Sequence, residues 1–182
     1  IVVPPSQHVR SVSATIEPYV GPRAIVVVAS KGIEERSLEL LSTVLRETLP
    51  AVGSERLAFL SGPSFAREVA KGLPTDVAVA SQDMVASRRV QPLLHSPLFR
   101  VYASADPVGV QVGGAIKNVM AVATGVCDGL GFGLNARAAL ITRGLVEMTR
   151  LGVALGADPL TFLGMAGVGD LVLTCTGDLS RN

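Results

Sequence analysis

The spacing pattern of hydrophobic and polar residues changes about halfway along the 182-residue chain. In the first part, short runs rich in β-branched residues are continuous rather than alternating, as in strands that are buried on both faces. The runs lie at residues 1–3, 24–29, 57–60 and 76–80. Helical spacing separates them, and this alternation of strands and helices predicts a layered α/β sheet that is mainly parallel.

Apolar residues between these runs recur at helical spacing. The first helical segment carries a single apolar stripe, and residues 64–71 and 84–94 are two further candidates. The stripe consists of Leu38, Leu41, Leu45 and Leu49. From about residue 107 two long helical patterns, residues 108–126 and 136–155, replace the alternation. We therefore place a domain boundary near residue 107.

Two shorter motifs complete the second part. The glycine-rich "GVCDGLGFGLN" joins the two long helical patterns. We interpret its "GLGFG" core as an interhelical loop, because no strand precedes it and the full dinucleotide fingerprint is absent. The run "DLVLT" near the end is the one strand-like stretch after the boundary. The second part is thus expected to be almost entirely helical.

Composition narrows the classes of function. The chain is 48% hydrophobic and 4% aromatic, with a net charge of +1. It lacks both a basic footprint and stacking platforms, so we expect no nucleic-acid partner. Cys127 and Cys175 are too few for a disulfide scaffold and indicate a reducing compartment. His8 and His95 are far apart in sequence, and no Cys/His cluster has the spacing of metal ligands, so we expect no metal site.

The longest apolar stretch, residues 108–127, is long enough to suggest a membrane span. However, it contains Gln111, Lys117 and Asn118, each of which is costly in lipid. We therefore expect no membrane span. The chain opens with "IVVPPS", without an initiator Met or a basic region typical of a signal peptide. We interpret this opening as the inside of a strand and the chain as a fragment of a longer protein.

Lys117 is the clearest candidate for chemistry. In the segment "GGAIKNVMAVATG", helical spacing puts Gly113, Gly114 and Ala121 on the same face as this lysine. A surface lysine needs no such cleared face, whereas a lysine in a cleft exchanges protons more readily, because burial disfavours its charged form. Asn118 offers an adjacent amide to a substrate. Catalysis and a structural ion pair both fit this pattern.

Three other segments contain candidate binding residues. Lys31, in "SKG", follows the strongest predicted strand, where ligands bind in open α/β sheets. Ser64, in "SGPSFAREV", opens a predicted helix whose free N–H groups make an anion site. Asp170 lies in a glycine-flanked turn, with Thr174 one helical turn further on. Each of these residues also fits an ordinary turn or helix start.

Taken together, the segments resemble one family. The sequences "SKG", "SGPSFAREVAKGLPT", "GVQVGGAIKNVMAVATGVCDGLGFGLNARAALITRGLVEMTRLG" and "GMAGVGDLVLTCTGDLSRN" are similar to those of bacterial NAD(P)-dependent glycerol-3-phosphate dehydrogenases, in order and at matching intervals. Family members begin with a "GxGxxG" segment and continue past "SRN", so this chain resembles the middle of such an enzyme.

The resemblance implies an oxidoreductase that interconverts sn-glycerol 3-phosphate and dihydroxyacetone phosphate with NAD or NADP. It implies that Lys117 is the catalytic acid/base, with Asp170 orienting or charge-balancing it. The small residues around the lysine would then leave room for the substrate and the nicotinamide. Substrate contacts implied by position are Lys31, Gly62, Ser64, Lys117, Asn118, Asp170, Thr174, Ser180, Arg181 and Asn182. Cofactor contacts implied in the same way are Lys31, Ala66 and Arg181.

The resemblance also implies an architecture. Residues 1–107 would be the C-terminal part of a Rossmann-like NAD(P)-binding domain, and residues 108–182 the N-terminal part of a helical substrate and catalytic domain. It implies a cytoplasmic enzyme that supplies glycerophospholipid synthesis. The apolar second helix of the helical part serves either the core or a homodimer interface.

Two alternatives remain open at this point. A related β-hydroxyacid dehydrogenase also pairs a Rossmann-like domain with a catalytic lysine, although "GPSFA" and "SRN" resemble the glycerol-phosphate branch. A non-catalytic module that binds a phosphorylated metabolite is the second alternative, if the chain is natively this short. The choice between NAD and NADP is set upstream of this chain.

Overall fold

The computed structural model describes residues 1–177 and residue 180. Up to residue 106, strands alternate with helices, as the sequence predicts. The strands are β1 (Val26–Val28), β2 (Leu57–Ser61), β3 (Thr75–Ala80) and β4 (Phe99–Ser104). The helices in this part are α1 (Ser6–Ile16), α2 (Leu41–Thr48), α3 (Ala66–Ala70) and α4 (Val85–Leu94).

The four strands form one sheet in the order β1-β2-β3-β4. The pairs β1–β2 and β3–β4 are parallel and β2–β3 is antiparallel, so the predicted mainly parallel sheet is confirmed. Val2 extends the sheet by a single parallel bridge to Val28, so residues 1–3 contribute a bridge rather than a strand. Because β1 and β2 run in the same direction, their carboxyl ends lie at the same edge of the sheet.

Both faces of the sheet are covered, which explains the continuous apolar runs. Val9 of α1 and Leu45 of α2 are fully buried in one cluster with Val28 of β1. Val90 of α4 packs in a second cluster with Val77 of β3. Burying one such side chain contributes about 1.5–3 kcal/mol, so the two layers hold the sheet edge in place.

Long helices dominate from residue 107, as predicted. They are α5 (Pro107–Gly129), α6 (Gly133–Ala154) and α7 (Asp170–Thr176). Only residues 130–132 connect α5 to α6, so "GLGFG" is an interhelical connection that is shorter than the predicted loop. Phe162 lies in the helical core against Gly152, and both residues are buried.

Asp106 fixes the start of α5. Its carboxylate accepts hydrogen bonds from the Gly109 N–H at 2.8 Å and from the Thr161 hydroxyl at 2.6 Å. The first contact satisfies one of the N–H groups that have no partner within the helix, and the second ties the helix start to the segment that leads toward α7. The angle at which α5 leaves the sheet is thereby set.

Three further local predictions differ from the structure. The run "DLVLT" is part of helix α7, not a strand. Leu38 lies outside the predicted helical stripe, since α2 begins at Leu41 and Leu38 is exposed with φ of 58°. The predicted helix over residues 64–71 is shorter, because α3 begins only at Ala66.

Helix α5 is long and apolar enough to cross a membrane by its length and composition alone. In the structure, 44% of its most apolar window is buried inside the protein. Core helices of water-soluble proteins have the same composition. Length and composition alone therefore do not distinguish a membrane span from a core helix.

Candidate active site

Lys117 lies near the middle of α5 and forms an ion pair with Asp170. Its Nζ is 2.5 Å from Asp170 Oδ1. The lysine side chain is 11% exposed and the aspartate side chain 1% exposed, so the pair is almost fully shielded from water. The predicted contact between these residues, 53 positions apart, is therefore present.

Lys31 binds the other oxygen of the same carboxylate. It follows β1, and its Nζ lies 2.6 Å from Asp170 Oδ2 and 3.2 Å from the carbonyl oxygen of Gly62. Its side chain is 22% exposed. One carboxylate thus joins two ammonium groups, one at the sheet edge and one on α5, and the cluster carries a net charge of +1.

Asp170 is placed by the start of α7. A wide turn of the π type, Met165–Gly169, leads into this helix, and Asp170 is its first residue. The Thr174 hydroxyl donates to the Asp170 carbonyl oxygen at 2.6 Å, and Ser61 Oγ lies 3.5 Å from Oδ2. A carboxylate is favoured at a helix N-terminus, where the N–H groups carry partial positive charge. Sequence analysis missed Ser61, because a serine at a strand end has no distinguishing local pattern.

Burial lowers the pKa of Lys31 from 10.5 to about 8. The negative charge of Asp170 raises this pKa, and the positive charge of Lys117 lowers it again, but loss of hydration is the largest cause. Lys31 therefore loses its proton readily at slightly alkaline pH. Sequence analysis had not singled out Lys31 for this effect.

The small residues beside Lys117 lie against other parts of the protein. A Cβ on Gly113 would overlap the carbonyl oxygen of Ala166, and a Cβ on Gly114 would lie 2.9 Å from Ser61 Oγ. The side chain of Lys31 passes the same point, with Cγ 3.4 Å from that position. Protein atoms therefore fill the space beside these two glycines, and the expectation that this face leaves room for the substrate and the nicotinamide stays a prediction. The glycines let α5 approach its neighbours closely.

Gly62 and Ser64 form a tight turn after β2. Gly62 has φ of 148°, and a Cβ there would lie 2.9 Å from the Cα of Val77, so only glycine fits. The Ser64 hydroxyl donates to the Gly62 carbonyl oxygen at 3.0 Å. This hydroxyl closes the turn, and α3 has only five residues. Ser64 thus lies in the turn before α3, and its predicted role at an anion site stays a prediction.

The remaining candidates lie around this cluster or beyond the described part. Asn118 is exposed on α5, next to Lys117, and Ala66 is exposed at the start of α3. The backbone N–H of Ser180 donates to the Gly177 carbonyl oxygen at 3.0 Å. Arg181 and Asn182 lie outside the described residues. The structure brings together Lys31, Gly62, Lys117, Asp170 and Thr174.

A metal site would require side chains that commonly bind metals to cluster in this structure. Among residues 1–177 and 180, no set of three or more His, Cys, Asp or Glu side chains could hold a metal ion. Cys127 and Cys175 are free thiols, and both are buried. Burial raises the pKa of the Cys175 thiol, so it stays protonated near neutral pH.

Comparison with known proteins assigns both parts of the chain to one family. Residues 1–87 match the family model described as NAD-dependent glycerol-3-phosphate dehydrogenase N-terminus. Residues 106–182 match the model for the C-terminus of the same enzymes. The two matches occur in the order expected for a single chain.

Individual relatives agree with the family models. Glycerol-3-phosphate dehydrogenase (NAD(P)+) of Citrifermentans bemidjiense is 59% identical over 182 residues, which are 100% of this chain and 54% of the relative. The enzyme of the same name from Geobacter metallireducens is 57% identical over the same residues, again 54% of its length. The chain thus spans about half the length of the curated relatives it matches.

Solved structures share the fold. The crystal structure of glycerol-3-phosphate dehydrogenase from Coxiella burnetii superimposes with a TM-score of 0.92 at 44% identity, over 98% of this chain and 54% of that one. The yeast enzyme from Saccharomyces cerevisiae gives a TM-score of 0.84 at 31% identity, over 95% of this chain and 52% of that one. With both parts matched in order and the fold shared, the chain belongs to the NAD-dependent glycerol-3-phosphate dehydrogenase family.

Proposed function

We propose that the protein to which this chain belongs interconverts sn-glycerol 3-phosphate and dihydroxyacetone phosphate with NAD or NADP. The observation that carries the proposal is the buried cluster of Lys117, Asp170 and Lys31. It combines a proton donor with excess positive charge, as the reduction of a phosphorylated ketone requires. Family membership supplies the substrate class.

Lys117 acts as the general acid in this proposal. During reduction, the ammonium group of Lys117 gives a proton to the oxygen on C2 of dihydroxyacetone phosphate. In the reverse direction, the neutral amine takes the proton from the 2-hydroxyl group. Asp170 holds the ammonium group in one position through the 2.5 Å contact. Such proton transfer contributes about 10²–10⁴-fold to the rate.

Lys31 and the residues around it bind the substrate. Lys31 remains paired with Asp170 when Lys117 has given up its proton, so one positive charge stays beside the carboxylate. Arg181 provides a planar fork for the phosphate group. The remaining substrate contacts we propose are Gly62, Ser64, Asn118, Thr174, Ser180 and Asn182.

A bound nicotinamide coenzyme supplies or accepts the hydride. The residues of this chain fit one side of such a coenzyme, because Lys31 and Gly62 follow parallel strands at their carboxyl edge, where open α/β sheets bind ligands. Lys31, Ala66 and Arg181 are the proposed coenzyme contacts.

The domain division is also part of the proposal. Residues 1–107 form the C-terminal part of a Rossmann-like NAD(P)-binding domain, and residues 108–182 form part of the helical substrate domain. Lys31 comes from the first and Lys117 and Asp170 from the second, so the substrate lies in a cleft between domains.

We further propose a cytoplasmic enzyme without a membrane span, which assembles as a homodimer and feeds phospholipid synthesis. Support for the absence of a span comes from Gln111 of α5, which is 8% exposed. Its amide donates to the Pro107 carbonyl oxygen at 2.7 Å and accepts from the Ser42 N–H at 2.9 Å. The polar groups of α5 thus serve contacts within the protein. The apolar faces of α6 are consistent with a dimer interface, and the lipid role rests on family membership.

The test is turnover by the full-length protein. NAD(P)H absorbance is followed after addition of dihydroxyacetone phosphate, for the wild type, Lys117→Ala and the surface control Lys71→Ala. We expect a loss of about 10²–10⁴-fold for Lys117→Ala with coenzyme binding retained, and no loss for the control. Equal rates in all three proteins would contradict the role of Lys117. Turnover of 3-hydroxyacids instead would favour a related β-hydroxyacid dehydrogenase.

A further inference from the structure

The side chain of Lys31 extends from a loop, not from a strand or helix. The loop joins β1 to α2 and turns back on itself between Ile33 and Leu40, which form an isolated antiparallel bridge. Within it, the Leu38 N–H donates to the Glu34 carbonyl oxygen at 2.9 Å. These contacts define the shape of the loop, but they do not fix its position against the rest of the protein.

Two forces push Lys31 out of the site. Burial costs its ammonium group hydration, and the ammonium group of Lys117 binds the same carboxylate and repels it. A flexible lysine has many rotamers that reach water. Holding Lys31 inward therefore requires that its loop be fastened from outside.

An ion pair with α1 provides this fastening. Arg10 Nε lies 2.7 Å from Glu34 Oε1, and Arg10 Nη2 lies 2.8 Å from Glu34 Oε2. Two parallel bonds between a guanidinium and a carboxylate fix direction as well as distance. The Glu34 side chain is only 6% exposed, and Ser37 Oγ donates to it at 2.6 Å. Glu34 is three residues from Lys31, so its position limits where the lysine can go.

The loop is also joined at its other end. The Ser30 hydroxyl donates to the Pro4 carbonyl oxygen at 2.5 Å, just before α1. Gly32 has φ of 132°, and a Cβ there would lie 2.7 Å from Ser6 Oγ. The residues on both sides of Lys31 thus rest against the start of α1, and Arg10 completes the attachment one turn further along.

We propose that Arg10 and Glu34 are positioning residues for Lys31, which hold its ammonium group against Asp170 in the reaction assigned above. The kinetic part of this inference rests on the proposed function. The residues do not touch the substrate, and they act through the loop. Hydrogen bonds from Arg10 and Ser37 lower the pKa of Glu34 to about 2, so Glu34 is ionised at neutral pH.

The test uses the full-length protein with Arg10→Gln and Glu34→Gln, and Glu47→Gln as the matched control. Glu47 binds the same guanidinium at 2.6 Å, but it is 54% exposed and lies on α2 rather than on the loop. Amine labelling is measured from about pH 6 to about pH 11 by mass spectrometry at Lys31, with Lys71 as the reference for reagent activity. Labelling needs the neutral amine, so the midpoint of the rate reports the pKa.

We expect the midpoint for Lys31 to rise from about 8 toward 10.5 in Arg10→Gln and Glu34→Gln, since loss of hydration is the largest cause of its low pKa. Asp170 and Lys117, the charged groups that face Lys31, oppose each other and change this direction little. In the same variants KM for dihydroxyacetone phosphate rises about tenfold, more than kcat falls, because bonds to charged groups contribute enough for that factor. Glu47→Gln leaves both quantities unchanged, and Arg10→Lys recovers part of the loss.

An unchanged midpoint for Lys31 in both variants would overturn the proposal. So would a fall in kcat at constant KM, which indicates only less folded enzyme. If Arg10→Gln fails to fold, Arg10→Lys and Glu34→Asp carry the same comparison. A wild type that does not reduce dihydroxyacetone phosphate contradicts the proposed function, while the labelling midpoints still decide the role of Arg10 and Glu34.

Discussion

The two lysines that share Asp170 are held in place by different means. Lys117 stands in the middle of a 23-residue helix, where backbone hydrogen bonds and the close contact of Gly113 with the Ala166 carbonyl fix its Cα. Lys31 stands on a loop that side-chain contacts, above all Arg10 with Glu34, fasten to α1. The position of Lys117 is thus built from main chain, and that of Lys31 from side chains.

This difference predicts different sensitivities. A substitution on the surface near α1 can release Lys31, but it leaves Lys117 in place. A substitution that adds bulk between α5 and the turn before α7 has the opposite effect. The two lysines also differ in exposure to solvent: the Lys117 side chain is 11% exposed and that of Lys31 is 22% exposed. The deeper and more rigid lysine is the one to which we assign proton transfer.

The largest effect on stability and turnover is expected from a substitution of Asp170, because both lysines bind its carboxylate. Asp170→Asn keeps the shape of the side chain and removes the charge that two ammonium groups share. Breaking a buried ion pair from one side costs about 3–5 kcal/mol of the free energy of unfolding, because the partners remain as uncompensated charges. Turnover is lost as well. Urea unfolding of the full-length protein, followed by circular dichroism, measures the change.

The matched control is Asp128→Asn, which breaks the ion pair between Asp128 and Arg137 at the end of α5. That pair is 34% and 27% exposed, and water compensates its loss, so a small change is expected. Equal destabilisation by the two variants would mean that the buried carboxylate does not organise the site.

An intermediate effect is expected from Gly113→Ala, which acts on the support of Lys117 alone. The added methyl group overlaps the Ala166 carbonyl oxygen, which is backbone and cannot rotate away. Forcing an extra carbon into such a contact costs about 1–3 kcal/mol and moves α5 away from Asp170. We expect a lower melting temperature and a lower kcat.

Gly129→Ala is the control in the same helix, since a Cβ there meets no atom within 4 Å. Alanine is the better helix former, so this variant should be neutral or slightly more stable. If both variants had the same melting temperature as the wild type, the close approach of α5 to the turn before α7 would not be what fixes Lys117.

The sequence predicts the fold where burial leaves a pattern. Strands β1 to β3 are buried on both faces, and their continuous apolar runs are visible without any structure. β4 was missed because Arg100 and Tyr102 interrupt its apolar residues. Helix α1 was missed because it has few apolar residues and buries only Val9 and Ser13. The run "DLVLT" was misassigned because a short apolar run fits a strand and a buried helix equally well.

The site is predictable only in part, for a related reason. Lys117 was found because its neighbours on the helix are small, and Lys31 because it follows a strand. The contact of Lys31 with Asp170 spans 139 positions, and no local pattern predicts it. Arg10 and Glu34 look like ordinary surface charges in the sequence. Side chains that hold a loop in place have no characteristic residue type or spacing in the sequence, so only the folded structure reveals them.

The smallest effect concerns the pH dependence of stability, and it tests the burial of Lys31. The pKa of Lys31 is about 8 in the folded protein and near 10.5 in the unfolded chain, so between these values the unfolded chain binds more protons. The free energy of unfolding therefore rises with pH through this window, because deprotonation relieves the burial of a charge. Lys31→Met, which keeps the length of the side chain, removes this contribution. Urea midpoints measured from about pH 7 to about pH 8.5 should rise for the wild type relative to the variant, by less than Gly113→Ala changes them. Parallel curves would mean that Lys31 titrates like a solvent-exposed lysine, and the cluster would then need only Lys117 to balance Asp170.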